Sequence, residues 1–134
     1  MLHENEFVMT DFFARDCPHC QTFEPIWFSS ARDAGNIGWE QKECFSSGWA
    51  QGADHDFCKQ MAVSRFPTVK LLHYAENGSI DNSWDFGGER TADALHKFAE
   101  DKMREISKTA LQRGIVDWRF LCAICHRQPI AGFL

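Results

Sequence analysis

The stretch DFFARDCPHCQTF, residues 11–23, sets Cys17 and Cys20 around Pro18 and His19, directly behind a hydrophobic run that contains an acid, Asp11. A C-x-x-C pair can bind metal, cross-link a fold or exchange disulfides with other proteins. In exchange the thiolate is the nucleophile, so the attacking cysteine needs surroundings that favour negative charge. Cys17 follows a strand-like run and opens a helix-like one, where unpaired N–H groups and the helix dipole favour an anion. His19 can add a positive charge or a hydrogen bond to the same sulfur. Cys20, one turn further in, is near enough to close a ring with Cys17 and resolve a mixed disulfide. Asp16 acts the other way, because a neighbouring carboxylate disfavours a thiolate. Asp11 sits among Phe7, Met9, Phe12 and Phe13, where an isolated charge is costly to bury. A buried acid whose pKa is raised can take the proton of the inner cysteine and return it. The plainer alternative is an acid at a strand edge, facing water.

Positioning the pair falls to the elements around it. EFVMTDFFA (6–14) is rich in Phe and Val without clean alternation, as in a strand buried on both faces. Pro18 stands where a helix can begin. Phe23, Ile26 and Trp27 continue that helix at helical spacing toward Gly35, with Pro25 inside it as a kink. IGWEQKECF (37–45) predicts a second strand, the polar stretch 46–54 a loop, and DFCKQMA (56–62) a short helix. TVKLLHY (68–74) and SWDFG (83–87) predict a hairpin about the turn signal Asn77-Gly78. Thr91 is expected to cap a helix over 92–112, with Leu95, Phe98, Ala99, Met103 and Ile106 toward one side. This order, β, α, β, α, β-hairpin, α, implies a mixed sheet covered by helices. His3, His55, His73 and His96 are read as surface or packing residues, and Trp39, Trp49, Trp84 and Trp118 as packing on or covering the core.

Composition narrows the function classes. The 134 residues make one domain, or one domain with a tail, and 44% hydrophobic with 25% charged content reads as globular. A net charge of −5 without a basic run argues against nucleic acid as a partner. No stretch approaches the roughly 20 apolar residues of a membrane span. The start, MLHENEF, lacks the basic and apolar regions of a signal peptide.

Taken together, VMTDFFARDCPHCQTFEPIW resembles the thioredoxin superfamily, and its protein disulfide isomerase branch in particular. The shared features are an acid ahead of the first cysteine (Asp11), the ending His19-Cys20, and a proline after the second cysteine (Pro25). VSRFPTVKLL looks like the family segment that holds a cis-proline, which maps onto Pro67. The resemblance implies that Pro67, with Phe66 beside it and Pro18 opposite, faces the cysteines and offers backbone to an extended substrate. It implies that Lys70 partners the buried acid. FGGERTADALHKF resembles the family's entry into its last helix and implies that Arg90 approaches the inner cysteine and eases its ionisation; a solvated surface arginine is the alternative. Cys44 and Cys58 fall where related isomerase domains often carry a structural disulfide, so the resemblance implies one here; two reduced, buried cysteines are the other reading. Two departures stand out. Asp16 occupies the position where the family usually has Trp. Pro18-His19 is the dipeptide of strongly oxidising relatives, near −120 mV, whereas the isomerases lie near about −180 mV.

The resemblance therefore implies an α/β, thioredoxin-like mixed sheet flanked by helices over residues 1–104. It leaves open whether the family's usual first strand and helix are lacking, since six residues precede the first strand. Residues 105–134 are a helical extension or the start of a further region. The implied activity is that of a protein disulfide isomerase or protein-disulfide oxidoreductase, without cofactor or metal. Its partners are protein substrates bearing thiols or disulfides, with a redox partner protein or glutathione to renew it. The implied setting is the endoplasmic reticulum lumen or another secretory compartment, with which the sequon Asn77-Gly78-Ser79 is compatible. Two other readings stay open: a client-binding module with little redox turnover, and a relay domain of a sulfhydryl oxidase. The pair Cys122/Cys125, in CAICH, suits a second exchange pair or ordinary tail cysteines better than haem attachment or a zinc site.

Overall fold

The first strand is apolar but for Thr10 and Asp11, because it lies inside the sheet and is covered from both sides. β1 (Phe7–Ala14) has every residue buried except the half-buried Phe13. The structure, a computed structural model, describes residues 6–33 and 37–112. After β1 come α1 (Pro18–Arg32), β2 (Gly38–Phe45), α2 (His55–Gln60), β3 (Thr68–Tyr74), β4 (Ile80–Asp85) and α3 (Ala92–Gln112), with a 3-10 turn at Ser47–Trp49. The chain divides into two compact units, Met1–Ala99 and Glu100–Leu134. The second, as far as it is described, is the end of α3, where Lys102 pairs with Glu105 and Arg104 with Asp101. Gly35, Trp118 and the Cys122/Cys125 pair lie outside the described residues.

The four strands run in the order β2-β1-β3-β4. β1 pairs parallel with β2 and antiparallel with β3, and β3 pairs antiparallel with β4. This is the mixed α/β sheet of a thioredoxin-like fold. Alternate residues of a strand face opposite sides, so β1 separates two packing layers. Val8 and Phe12 face α2: Val8 packs with Leu72 and Tyr74 against Phe57 and Met61, and Phe12 with Cys44 and Cys58. Asp11 and its β2 neighbour Gln41 share the other face, toward α1 and α3. There Trp39 packs edge-on to Trp27 of α1 at 5.1 Å and against His96 of α3 at 5.0 Å. His96 Nε2 meets the Ser30 carbonyl at 2.9 Å, tying α3 to α1.

Local signals account for several boundaries. Pro18 opens α1 because its missing N–H would have had no partner in a first turn. Thr91 Oγ1 accepts the Ala94 N–H at 3.2 Å and caps α3. The second hairpin strand differs from the expected 83–87: the ladder runs Ile80–Asp85, pairing Tyr74 with Ile80 and Lys70 with Asp85. Its position follows from the short turn, in which Ala75 N–H bonds the Ser79 carbonyl and Gly78 adopts φ 89°. Phe86 lies past the strand and packs edge-on to Phe98. His73 is held between carboxylates, Nε2 to Glu6 and Nδ1 to Asp81. Burial lowers its pKa, but the two carboxylates outweigh burial and raise it.

Cys44 at the end of β2 and Cys58 in α2 form a disulfide with their Cα atoms 5.8 Å apart. Both are buried against Phe12, Phe45, Phe57 and Phe66. The bond closes a loop of sequence separation 14, for which chain entropy gives about 3 kcal/mol of stabilisation. A Cys44→Ala/Cys58→Ala variant is therefore expected to unfold in urea with ΔG lower by about that amount. An unchanged midpoint would show the cross-link to be redundant with the packing around it.

Candidate functional site

Cys17 is the N-cap of α1, with extended backbone (φ −85°, ψ 119°), and its N–H bonds the Ala14 carbonyl at 3.1 Å. The strand therefore ends one turn before the helix starts, and the cysteine sits at the junction. Its Sγ lies 3.6 Å from the carbonyl oxygen of Phe66, the residue ahead of Pro67, and the Phe66–Pro67 peptide is cis. Thr68 Oγ1 donates to the Arg65 carbonyl at 2.6 Å and shapes this loop. Cys17 and Cys20 are both free thiols and both buried, with 7% and 5% exposure. Pro18 and His19 are exposed on the first helical turn.

The inner cysteine holds its proton firmly. Burial pushes the Cys20 thiol up to about 12; the Ala14 backbone opposes this, and the adjacent Cys17 and the charge of Asp11 add to it. Asp11 is 2% exposed. Burial, offset in part by the Gln41 hydrogen bond and reinforced by Glu24, raises its carboxyl from 3.8 to about 6. Gln41 Nε2 donates to Asp11 Oδ2 at 3.0 Å, while Oδ1 has no hydrogen-bond partner among the described residues. A crevice of about 210 Å³, lined by Arg15, Cys20, Gln21, Glu24 and Gln41, opens to solvent beside this pair. Burial thus raises both groups above their ordinary values, and the charge of Asp11 is felt at the Cys20 thiol.

One expected partnership is corrected. Lys70 does not partner Asp11. Across the β1/β3 ladder Asp11 lies opposite Val69, and Lys70 lies opposite Thr10. One step along a strand reverses the face, so Lys70 projects to the other side of the sheet, where its Nζ pairs with Asp85 of β4. The partner that faces Asp11 is Gln41, set by the parallel β1/β2 register. Nothing local in the sequence marks Gln41; only the strand pairing finds it. Arg90 is exposed and lines a groove of about 390 Å³ with the 62–68 segment, Lys70, Asp85 and Phe86. Its charge is felt at Asp11, where it favours the ionised carboxyl; it does not line the crevice beside Cys20.

Two further features were not apparent from the sequence. Asp16 turns its carboxylate to the backbone N–H of Gly48, in the loop after β2. Trp49, expected to pack on or cover the core, packs on Phe45 with centroids 5.8 Å apart and leaves 51% of its surface exposed. Among the described residues no three His, Cys, Asp or Glu side chains converge as metal ligands, and no helix is long and apolar enough to cross a membrane.

A thioredoxin family model matches residues 1–101. The protein disulfide-isomerase of Saccharomyces cerevisiae is 28% identical over 99 residues, which cover 72% of this chain and 17% of the relative. The protein disulfide-isomerase of Gallus gallus is 30% identical over 100 residues, again 72% of this chain and 17% of the relative. The chain thus spans about a sixth of the length of these relatives. Among solved structures, the Trx4 domain of ERdj5 superposes with a TM-score of 0.60 at 24% identity, covering 74% of this chain and 81% of that domain, a likeness of fold. The first two thioredoxin domains of Naumovozyma dairenensis Eps1p give 0.54 at 27% identity, over 72% of this chain and 34% of that one.

Proposed function

Because this chain belongs to the thioredoxin family, we propose that it exchanges thiols and disulfides with protein substrates, as an oxidoreductase or isomerase, through Cys17 and Cys20. The observation that carries the reading is the placement of the Cys17 thiol, free, at the start of α1 and 3.6 Å from the carbonyl preceding Pro67. That position lets one sulfur meet a client disulfide while the loop backbone pairs with the client chain in strand fashion.

In the reducing direction the Cys17 thiolate attacks one sulfur of the client disulfide. The Cys17–client bond forms, the client disulfide breaks, and the other client sulfur leaves as a thiolate. Cys20 then gives its proton to Asp11 and attacks the Cys17 sulfur. The reduced client departs, leaving a Cys17–Cys20 disulfide. Oxidation of a client is the same path reversed. No cofactor is needed, since both electrons travel in the sulfur–sulfur bond. His19 supplies a donor or positive charge for the Cys17 thiolate. Phe66, Pro67 and Pro18 frame the client segment, and Arg90 biases the Asp11 proton from the groove side. Glutathione or a partner dithiol renews the pair. The structural disulfide Cys44–Cys58 supports an oxidising compartment, the endoplasmic reticulum lumen or another part of the secretory route.

Differential alkylation across glutathione buffers, read peptide by peptide, tests this directly. Cys17/Cys20 is expected to titrate between about −230 and −120 mV while Cys44/Cys58 stays oxidised. Cys20→Ala is expected to accumulate client proteins as mixed disulfides on Cys17. A Cys17/Cys20 pair that does not titrate, with no trapped client, would leave a client-holding module in place of an exchange enzyme.

A further inference from the structure

Asp16 sits next to the attacking cysteine, yet its carboxylate is committed elsewhere: it accepts the N–H of Gly48 and so joins the turn before α1 to the loop after β2. That loop is tightly built. Ser46 N–H bonds the Ala50 carbonyl at 2.8 Å, and Trp49 N–H bonds the Ser46 carbonyl at 3.0 Å. Gly48 and Trp49 both take positive φ, 72° and 60°. Glycine adopts that conformation readily, but tryptophan does so at a conformational cost. The result is a large apolar side chain held 51% exposed, where burial would normally be preferred.

The tryptophan is continuous with the reactive cysteine. Its ring packs on Phe45, centroids 5.8 Å apart, and Phe45 packs edge-on to Phe66 at 5.7 Å. Phe45 and Phe66 both lie against the buried cluster of Ala14, Cys17 and Cys20, and the Phe66 carbonyl is the Cys17 contact. Arg15 N–H bonds the Phe45 carbonyl at 2.9 Å, a second tie between the same two segments.

We propose that the loop 46–50, fastened by Asp16, presents Trp49 with Phe45 and Phe66 as an aromatic shelf beside Cys17, which binds an apolar side chain flanking the reacting cysteine of an extended client segment. The proposal rests on the exchange reading and specifies which clients it favours. Trp49 determines specificity; Asp16 is a positioning residue, which acts through the Gly48 N–H.

Two extended peptides test it, one with leucine and phenylalanine beside a central cysteine, the other with serine and glycine in those places. Exchange is measured on their mixed disulfides with glutathione. Binding is measured by calorimetry, with the central cysteine replaced by serine, on the Cys17→Ser/Cys20→Ser protein, so that no exchange is required. The wild-type site is expected to prefer the apolar peptide by about tenfold in kcat/KM, and the exchange-dead protein by a similar ratio in Kd. Trp49→Ala is expected to bring both ratios close to one, through KM rather than kcat. Asp16→Ala is expected to do the same, and Asp16→Asn to retain the preference, because its amide oxygen still accepts from Gly48. Equal binding of the two peptides, or a preference that survives Trp49→Ala, would overturn the shelf. Loss of the preference in Asp16→Asn as well as Asp16→Ala would overturn the fastening role of Asp16. If selective binding is present but neither peptide exchanges, the shelf stands and the exchange reading falls.

Discussion

Cys17→Ser is expected to lower disulfide exchange by about a thousandfold or more, to the level of the buffer thiol, without unfolding the protein. A serine hydroxyl remains protonated at neutral pH and forms no stable bond to a client sulfur, so the first covalent step is lost rather than slowed. The fold should tolerate the change. Serine is slightly smaller than cysteine, it can donate to the same Phe66 carbonyl, and the N-cap of α1 is a position that serine favours. Turnover of a peptide disulfide, alongside urea unfolding of the same sample, checks both halves. Exchange above about a hundredth of wild type in a folded Cys17→Ser protein would move the nucleophile to another sulfur.

Asp11→Asn is expected to abolish a pH-dependent loss of stability and to lower turnover. The carboxyl is raised from 3.8 to about 6, so between those values the folded protein holds a proton that the unfolded chain has released. Stability therefore falls as pH rises through that window. At about 1.4 kcal/mol per pKa unit, the loss reaches about 3 kcal/mol once pH exceeds the folded-state value. The asparagine side chain carries no charge and abolishes this slope. Its amide oxygen accepts from Gln41, and its NH₂ meets the place where Oδ1 has no partner. That mismatch costs the same at every pH. The variant should thus gain on wild type by about 2.5 kcal/mol between pH 4 and pH 8, whatever its offset at pH 4, because part of the loss is already present at pH 4. Turnover should drop, because Cys20, pushed up to about 12, loses the base that takes its proton. Decay of the Cys17 mixed disulfide is expected to slow by about a hundredfold. Urea unfolding across pH 4–8 and stopped-flow decay of the mixed disulfide measure the two effects. An unchanged pH slope would show that Asp11 is ionised throughout; an unchanged decay would show that Cys20 gives its proton to water.

Much of the site could be read from the chain because its signals are local. The apolar run of β1, the proline that opens α1 and the cysteines between them are neighbours in sequence, so the strand-to-helix junction that places Cys17 is visible without any long-range contact. The span of α3 and its Thr91 cap rest on helical periodicity and a side chain that bonds three residues ahead, both set by chain geometry alone. The acid Asp11 was visible as a charge among Phe and Met, because the cost of burying it does not depend on which strands surround it.

What faces Asp11 depends on pairing register, and only the assembled sheet decides that. Lys70 and Val69 are adjacent in sequence, yet one lies opposite Thr10 and the other opposite Asp11. A single residue of register sends the lysine to the far side of the sheet and leaves Gln41 at the carboxyl. The same holds for Trp49. Its type favours burial, but a Gly48 turn and the Asp16 contact from 32 positions away hold it in the open. Local sequence determined which groups could react and where the helix that presents them begins. Tertiary structure alone decided their neighbours, because contacts between strands and loops depend on closures that no local pattern of residues encodes.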